Sequence, residues 1–580
     1  MSAVPPLLDR VAETVGAAIA RTHPDAAGAD PVVRRSVRAD FQSNAALSLA
    51  KRLHLGPGTL AGGLAQALTD PDERLLGEVS VSGPGFLNLT VADRPLWEQV
   101  AARLADDRLG VGAPEDGRRT LVDYSAPNIA KELHVGHLRT TIIGDSLVRV
   151  LRFLGAEVVR VNHVGDWGTQ FGMLIQYLDE HPDQQWRGES AVSALDARYK
   201  AARALFEADP AFADRSRARV VALQSGDPAT LARWREIVAE SERAFAAVYA
   251  RLGVLLTAAD SVGESFYNPM LADTVAELVA AGIAEVSDGA LVVFSTEATG
   301  PDGRPVPLML RKRDGGYGYD TTDLAAIRYR ITELGARRLL YVTDSRQALH
   351  FRLVFETARR AGWSGDGIEA QHVAFGTVLG PDGRPFQTRA GGTVRLTALL
   401  DDAVAAARAV VAEKNPDMPE EELTEIAEIA GIGAVKYADL STSRVKDYSF
   451  DPQRMVAFTG NTGVYLQYAH ARIRSILRKA ENATGTVDPT IAPQPAERAL
   501  ALRLDAYGGT VIEVADTLEP HRLCGYLYDL ARDFTAFYDT CPVLSAPHPV
   551  RDNRIALCRL TARTVAHGLG LLGITAPDRM

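Results

Sequence analysis

Residues 119–165 place a strand, a loop, a helix and a second strand in immediate succession. This arrangement commits the surrounding chain to parallel β-structure. "RTLVDYS" (119–125) is short and apolar, with Leu121, Val122 and Tyr124 among few breakers, and reads as a buried strand. In the segment that follows, Leu138, Ile142, Leu147, Val148, Leu151 and Leu154 keep helical spacing until Gly155 supplies a stop. "AEVVRVNHVG" (156–165) then resumes strand character. Two strands joined through a helix can pair only in parallel, so the unit is a βαβ crossover. Its first turn carries two histidines, His134 and His137, at the helix entrance.

Outside this unit the pattern divides the 580 residues further. Residues 1–115 begin with helical patterning and close on "GEVSVSGPGFLNLTV", a strand pair around Gly83-Pro84-Gly85, which predicts an N-terminal α+β domain. The second unit, 116–400, is interrupted at about 184–252 by charged, Ala-rich helical sequence. Beyond it, "GALVVFST", "VPLMLRKRDG", "RRLLYVTDS" and "AQHVAFGTVLG" read as strands of one doubly wound parallel α/β domain. After Asp401 the pattern is helical, predicting a helical region at 401–450 and an all-helical domain at 451–580.

A formal net charge of -10 means that any polyanionic partner must be met by local basic patches. No basic leader precedes an apolar core and no apolar run reaches membrane length, so the expectation is a soluble cytoplasmic protein without membrane contact. Cys524, Cys541 and Cys558 are too dispersed for a disulfide framework or a CxxC site and read as buried fillers. Only 8 of the 63 basic residues are lysine, which makes each lysine the less expected choice.

Three readings are open for "HVGH" (134–137). The imidazoles could be incidental to a capped helix. They could ligate a metal, although neither the helical glutamate of HExxH nor a neighbouring cysteine is present. Or the helix N-terminus, with free N–H groups and the positive end of its dipole, could receive a polyphosphate to which both rings donate.

"SAPNIAKELHVGH" (125–137) resembles the HIGH signature of class I aminoacyl-tRNA synthetases, in the extended form of the arginyl-tRNA synthetases. The resemblance continues in order through "VNHVGDWGTQFG" (161–172), "GESFYN" (263–268), "DGGYGYDTTDLAA" (314–326), "YVTDSRQALHF" (341–351), "RPFQTRAGGTVRL" (384–396), "VKYADLS" (435–441), "GVYLQYAHARIRSI" (463–476) and the terminal "LLGITAPDRM". It implies a Rossmann-type doubly wound catalytic domain with a helical insertion, an N-terminal tRNA-contacting domain and an all-α anticodon-binding bundle. The implied activity is ATP-dependent ligation of L-arginine to tRNA(Arg), with ATP as substrate, Mg²⁺ assisting, no structural metal, and no obligate protein partner to a monomer.

By the same resemblance Ser125, His134, Gly136, His137 and Thr388 face ATP, and Asn128 and His137 lie near the arginine amino and carboxylate groups. Glu264, Tyr319, Asp323 and Gln347 form the guanidinium pocket. Carboxylates with phenol and amide acceptors suit a planar five-donor cation. Asp166 and Trp167 either take a direct catalytic part or only shape the carboxyl edge of the sheet. Gln387 stands where the family's KMSKS-like loop usually has lysine, so Arg389 and Lys131 are the candidate cations beside His134 and His137. On the helix after Gly463, Leu466, Ala469, Ile473, Ile476 and Leu477 read as a core stripe. Tyr465, Gln467, Tyr468, His470, Arg472 and Arg474 read as the tRNA-facing surface. Two other readings are a drug-tolerant or specialised second copy and an RNA-binding protein with weakened catalysis, the latter kept open by Gln387.

Overall fold

The computed structural model describes residues 4–69, 75–183, 186–188, 191–380, 382–384, 386, 394–480 and 485–580. At its centre five parallel strands carry the site: β1 (Arg119–Asp123), β2 (Glu157–Val164), β3 (Ser261–Gly263), β4 (Arg338–Tyr341) and β5 (Glu369–His372). The helices used below are α1 (Val135–Phe153), α2 (Pro228–Leu252), α3 (Tyr319–Thr332), α4 (Ala348–Arg360), α5 (Glu420–Leu440), α6 (Gly463–Lys479) and α7 (Val550–Leu571).

The sheet order is β5-β4-β1-β2-β3, every pair parallel. The chain winds outward from β1 through β2 to β3, then returns to the other side of β1 as β4. The carboxyl ends of β1 and β4 are therefore the point at which the winding reverses, and a doubly wound sheet opens its crevice there. Leu121, Val122, Leu339 and Leu340 are fully buried, as strands covered on both faces require.

One expectation fails at the strands of residues 290–311. Ala290–Thr299 and Pro305–Arg311 do not join the parallel sheet; with Glu285–Ser287 they form a separate antiparallel sheet. The cause is local. A five-residue link, "GPDGR" at 300–304, joins the two longer strands, and a link that short can make only an antiparallel pair.

In the N-terminal region the antiparallel sheet runs Val33–Arg35, Phe41–Ser43, Phe86–Val91, Leu76–Ser82, with a tight turn at Gly83-Pro84-Gly85. It is fastened to the C-terminal helices by buried polar contacts. Arg103 pairs with Asp505 at 2.8 Å, and Trp97 Nε1 donates to the Ile491 carbonyl at 2.7 Å. Cys524, Cys541 and Cys558 are all buried and free, in the packing role the sequence suggests.

α1 is the spine joining the sheet to the C-terminal half. Its Arg139, 1% exposed, donates to the Lys446 carbonyl and pairs with Asp439 of α5 at 3.2 Å, between the rings of Phe375 and Tyr448. Among the described residues no helix is long and apolar enough to cross a membrane.

Candidate active site

Between β1 and α1 the backbone is forced into an unusual path. Ser125, Ala126 and Ala130 all have positive φ, at 74°, 49° and 63°, a region that side-chain-bearing residues avoid. Hydrogen bonds hold the path in place. Ser125 N–H donates to Thr140 Oγ1, Ala126 N–H to Asn162 Oδ1, Ala130 N–H to Ser241 Oγ of α2, and Ile129 N–H to the Gly165 carbonyl. The Ser125 side chain is 2% exposed, and its Oγ is shared by Tyr249 and Thr141. Its hydroxyl therefore helps to shape the loop on which the nucleotide is expected. Asn128, by contrast, is exposed at the mouth.

The two histidines cap α1 reciprocally. His134 Nδ1 accepts from Gly136 N–H at 3.0 Å, and His137 Nδ1 accepts from His134 N–H at 3.1 Å. Each ring has an acceptor nitrogen facing the backbone, so each is neutral with its proton on Nε2. Burial depresses both pKa values, with the Lys131 charge adding to the effect, and His137, which also feels His134, is brought down to about 3. Two neutral donors, ring centroids 4.0 Å apart, thus stand at the helix start, where the N–H groups of Val135, Gly136 and His137 are already taken by the Val394 carbonyl, His134 Nδ1 and the His134 carbonyl, so an anion there meets the ring Nε2–H groups and the positive end of the helix dipole. Gly136 is required, since a Cβ there would lie 2.8 Å from His134 Cε1. Neutral rings supply hydrogen bonds but no charge. Lys131 is half-buried on the same loop, its Nζ 5.0 Å from the Tyr199 ring centroid in the insertion.

Gln387, Thr388 and Arg389 lie outside the described residues. The flanks of their loop are tied to this site. Val378–Leu379 pair in parallel with Tyr448–Ser449, and on the other side Val135 N–H donates to the Val394 carbonyl while Leu396 N–H donates to that of Leu133.

Across the crevice, α3 and α4 begin side by side, α3 presenting two carboxylates and α4 an imidazole. Asp323 Oδ2 lies 2.7 Å from His350 Nε2, and Asp320 Oδ1 lies 3.2 Å from His350 Nδ1. These two carboxylates outweigh the burial of His350 and raise its pKa to about 9, so it is a cation at neutral pH. Behind them the fully buried Arg330 pairs with Asp123 at the end of β1, Nη1 to Oδ2 2.8 Å. His163 of β2 sits 3.9 Å from both Asp123 and Asp323 and 3.4 Å from Arg330 Nη2.

Glu264 follows β3. Burial first, then the charges of Asp323 and Asp166, push its carboxyl up to about 7. Asp166 is itself engaged, accepting from Ser265 N–H at 2.8 Å and Ser265 Oγ at 2.6 Å, and it orients the segment that carries Glu264. Tyr319, 67% exposed, starts α3 beside His350 with ring centroids 5.3 Å apart, and Gln347 is exposed at the start of α4. Glu264, Asp323, Tyr319 and Gln347 thus lie at the ends of β3 and the starts of α3 and α4, around a concentration of negative charge suited to a guanidinium.

On α6 the structure divides the expected surface. Gln467 is fully buried and donates to the carbonyls of Ile429 and Thr575, and His470, 4% exposed, bonds the Pro577 carbonyl through Nδ1. Neither is presented to solvent, because the C-terminal segment 573–578 lies across their face of the helix. Arg474 is half-exposed but paired with Asp578 at 2.9 Å. Tyr468 and Arg472 are exposed, with Arg472 stacked on Tyr538 at 4.6 Å, and Tyr465 packs edge-on to Tyr528.

Three family models match the chain in order: "Arginyl tRNA synthetase N terminal domain" over 9–91, "tRNA synthetases class I (R), catalytic domain" over 99–452, and "DALR anticodon binding domain" over 466–580. The arginine–tRNA ligase of Frankia casuarinae is 68% identical over 580 residues, covering 99% of both chains, and that of Streptomyces coelicolor is 53% identical over the whole of both. The chain belongs to the arginyl-tRNA synthetase family. Solved arginyl-tRNA synthetases superpose along its length: that of Plasmodium falciparum with a TM-score of 0.84 at 28% identity over 100% of both chains, and that of Thermus thermophilus with 0.82 at 29% over 99% of this chain.

The synthetase resemblance did not bring out His163, His350, Asp123, Asp320 or Arg330 as site residues. For His350 a signal was available, since it stands three residues after Gln347 on the first turn of a helix and so shares its end. Asp123 and Arg330 are 207 residues apart and meet only through the β1–β4 pairing, which local spacing does not encode.

Proposed function

We propose that the chain activates L-arginine with ATP and transfers it to the 3′ end of tRNA(Arg), releasing pyrophosphate and AMP. The observation that carries this reading is the 68% identity to an arginine–tRNA ligase across 99% of both chains. In the first step an arginine carboxylate oxygen attacks the α-phosphorus of ATP, the bond to the bridging oxygen breaks, and pyrophosphate leaves. In the second, a ribose hydroxyl of the terminal tRNA nucleotide attacks the arginyl carbonyl and AMP departs.

The protein mainly positions the reactants and stabilises charge that develops in the transition state. Phosphate oxygens lie against the α1 N-terminus, where His134 and His137 donate from Nε2 without carrying charge of their own. Lys131 and the loop containing Arg389 provide the cations. Mg²⁺ enters on the triphosphate, whose oxygens are the hard ligands it prefers. The guanidinium of arginine lies among Asp323, Glu264, Tyr319 and Gln347, with Asn128 and His137 towards its other end. Tyr468 and Arg472 belong to the tRNA-facing surface of a cytoplasmic monomer. The test is charging of tRNA(Arg) with labelled arginine and, in parallel, labelled lysine. Arginine alone should be attached, and equal attachment of lysine would contradict the reading.

A further inference from the structure

Lys436 of α5 is one of the chain's 8 lysines and is 1% exposed. Burial pulls its pKa down to about 8, which leaves it charged at neutral pH. Its Nζ donates to the Leu252 carbonyl at the end of α2 (2.7 Å) and to the Gly573 carbonyl just past α7 (2.5 Å). Close by is Asp145 of α1, 0% exposed, which accepts from Leu255 N–H and from Arg149 Nε, each at 2.7 Å. Arg149 also donates to the Gly253 carbonyl, and Ser146 of α1 to that of Leu571. Gly573 sits against all three charges, since a Cβ there would lie 2.6 Å from Lys436 Nζ, 3.0 Å from Asp145 Oδ2 and 3.2 Å from Arg149 Nε.

Beyond Gly573 the same segment runs over α6, held by Gln467 at Thr575, His470 at Pro577, and Arg474 and Arg478 at Asp578. One short stretch of chain therefore touches α6 at one end and, at the other, the charged cluster on the helix whose first turn is His134–His137. A cavity of about 190 Å³, lined in part by Leu252, Gly433, Lys436 and Thr575, lies alongside and gives the stretch room to shift.

We propose that Lys436 is a positioning residue that couples tRNA bound on α6 to the histidine-bearing end of α1, through the terminal segment 571–578. This deepens the ligase reading and rests on it. A tRNA that engages Arg472 and Tyr468 meets the end of the segment pinned by Arg474 and Arg478. Any displacement there is delivered to Gly573, and Lys436 and Asp145 pass it to α1. Asp145 and Arg149 on α1, and Arg251 with Glu428 beside the cavity, are the charged groups around the junction.

The test compares wild type with Lys436→Met, Lys436→Arg and Gly573→Ala, measuring tRNA affinity, the single-turnover adenylation rate at saturating tRNA, and hydrogen exchange at residues 134–138 with and without tRNA. For Lys436→Met the rate should fall at least about tenfold while tRNA affinity stays within about threefold, and the tRNA-induced change in exchange should vanish. Lys436→Arg should retain most of the rate. If Lys436→Met fails to fold, Gly573→Ala carries the same expectation, because it displaces the amine without removing it. A wild-type rate in the variants, parallel loss of rate and tRNA affinity, or an exchange response that survives would overturn the coupling. Wild type inactive with arginine would instead overturn the ligase reading beneath it.

Discussion

Asp323 is held between two imidazoles, His350 at 2.7 Å and His163 at 3.9 Å. Burial would raise its pKa, yet the His350 hydrogen bond and the surrounding cationic charge hold it below the usual value, which keeps it ionised for the guanidinium that the proposed pocket would receive. Asp323→Ala leaves that cation without its partner, which should cost about 3 to 5 kcal/mol, or roughly two to three orders of magnitude in kcat/KM for arginine. Steady-state kinetics within tenfold of wild type would exclude Asp323 from the pocket. Glu264 sets a pH dependence. Its carboxyl titrates near 7, above the ordinary range, so without ligand the ionised form costs stability progressively as pH rises towards 7. Arginine needs that ionised form, so calorimetric arginine affinity should weaken by up to about tenfold per unit as pH falls below the titration point, and Glu264→Gln should flatten this dependence. Lys131→Ala should lower adenylation about a hundredfold with tRNA affinity unchanged, because the neutral histidines cannot replace its charge; near-normal adenylation would assign that charge to Arg389. Sequence motifs brought out the residues at the crevice mouth. They missed His163, Arg330 and Asp123, whose meeting depends on strand order.

At the scale of elements, α6 shows where periodicity reads well and where it fails. Leu466, Ile473 and Ile476 are buried, as the apolar spacing predicts. Gln467 and His470 are buried too, because a polar side chain can enter a core when backbone carbonyls receive it, and the carbonyls of Thr575 and Pro577 come from more than a hundred residues away. The tRNA-binding consequence is specific. Arg472→Ala should reduce the salt dependence of tRNA affinity by about one ion, whereas Gln467→Ala should lower the melting temperature and leave the slope unchanged. Binding titrations over a range of salt concentrations separate the two, and an unaltered slope for Arg472→Ala would remove that face of α6 from the interface. The strands at 290–311 make a similar point. Their composition marked them as strands, but their sheet was decided by the length of the turn between them.

Across the whole molecule, the crevice at the ends of β1 and β4 joins the histidine-capped start of α1, proposed for phosphate, to the carboxylate-bearing start of α3, proposed for the guanidinium, and buried charged pairs such as Arg139–Asp439 and Arg103–Asp505 fasten the flanking regions around it. The βαβ unit made the central sheet legible from sequence. The junction at Lys436, which gathers α1, α2, α5 and the terminal segment, was not legible, because its partners lie 137 to 291 residues from the lysine. The most direct test of arginine-tRNA ligation is arginine-dependent exchange of labelled pyrophosphate into ATP, run with and without tRNA carrying arginine anticodons. Exchange should require arginine, ignore lysine, and rise sharply when the tRNA is added. Exchange supported equally by lysine, or none at all from protein that still binds the tRNA, would contradict it.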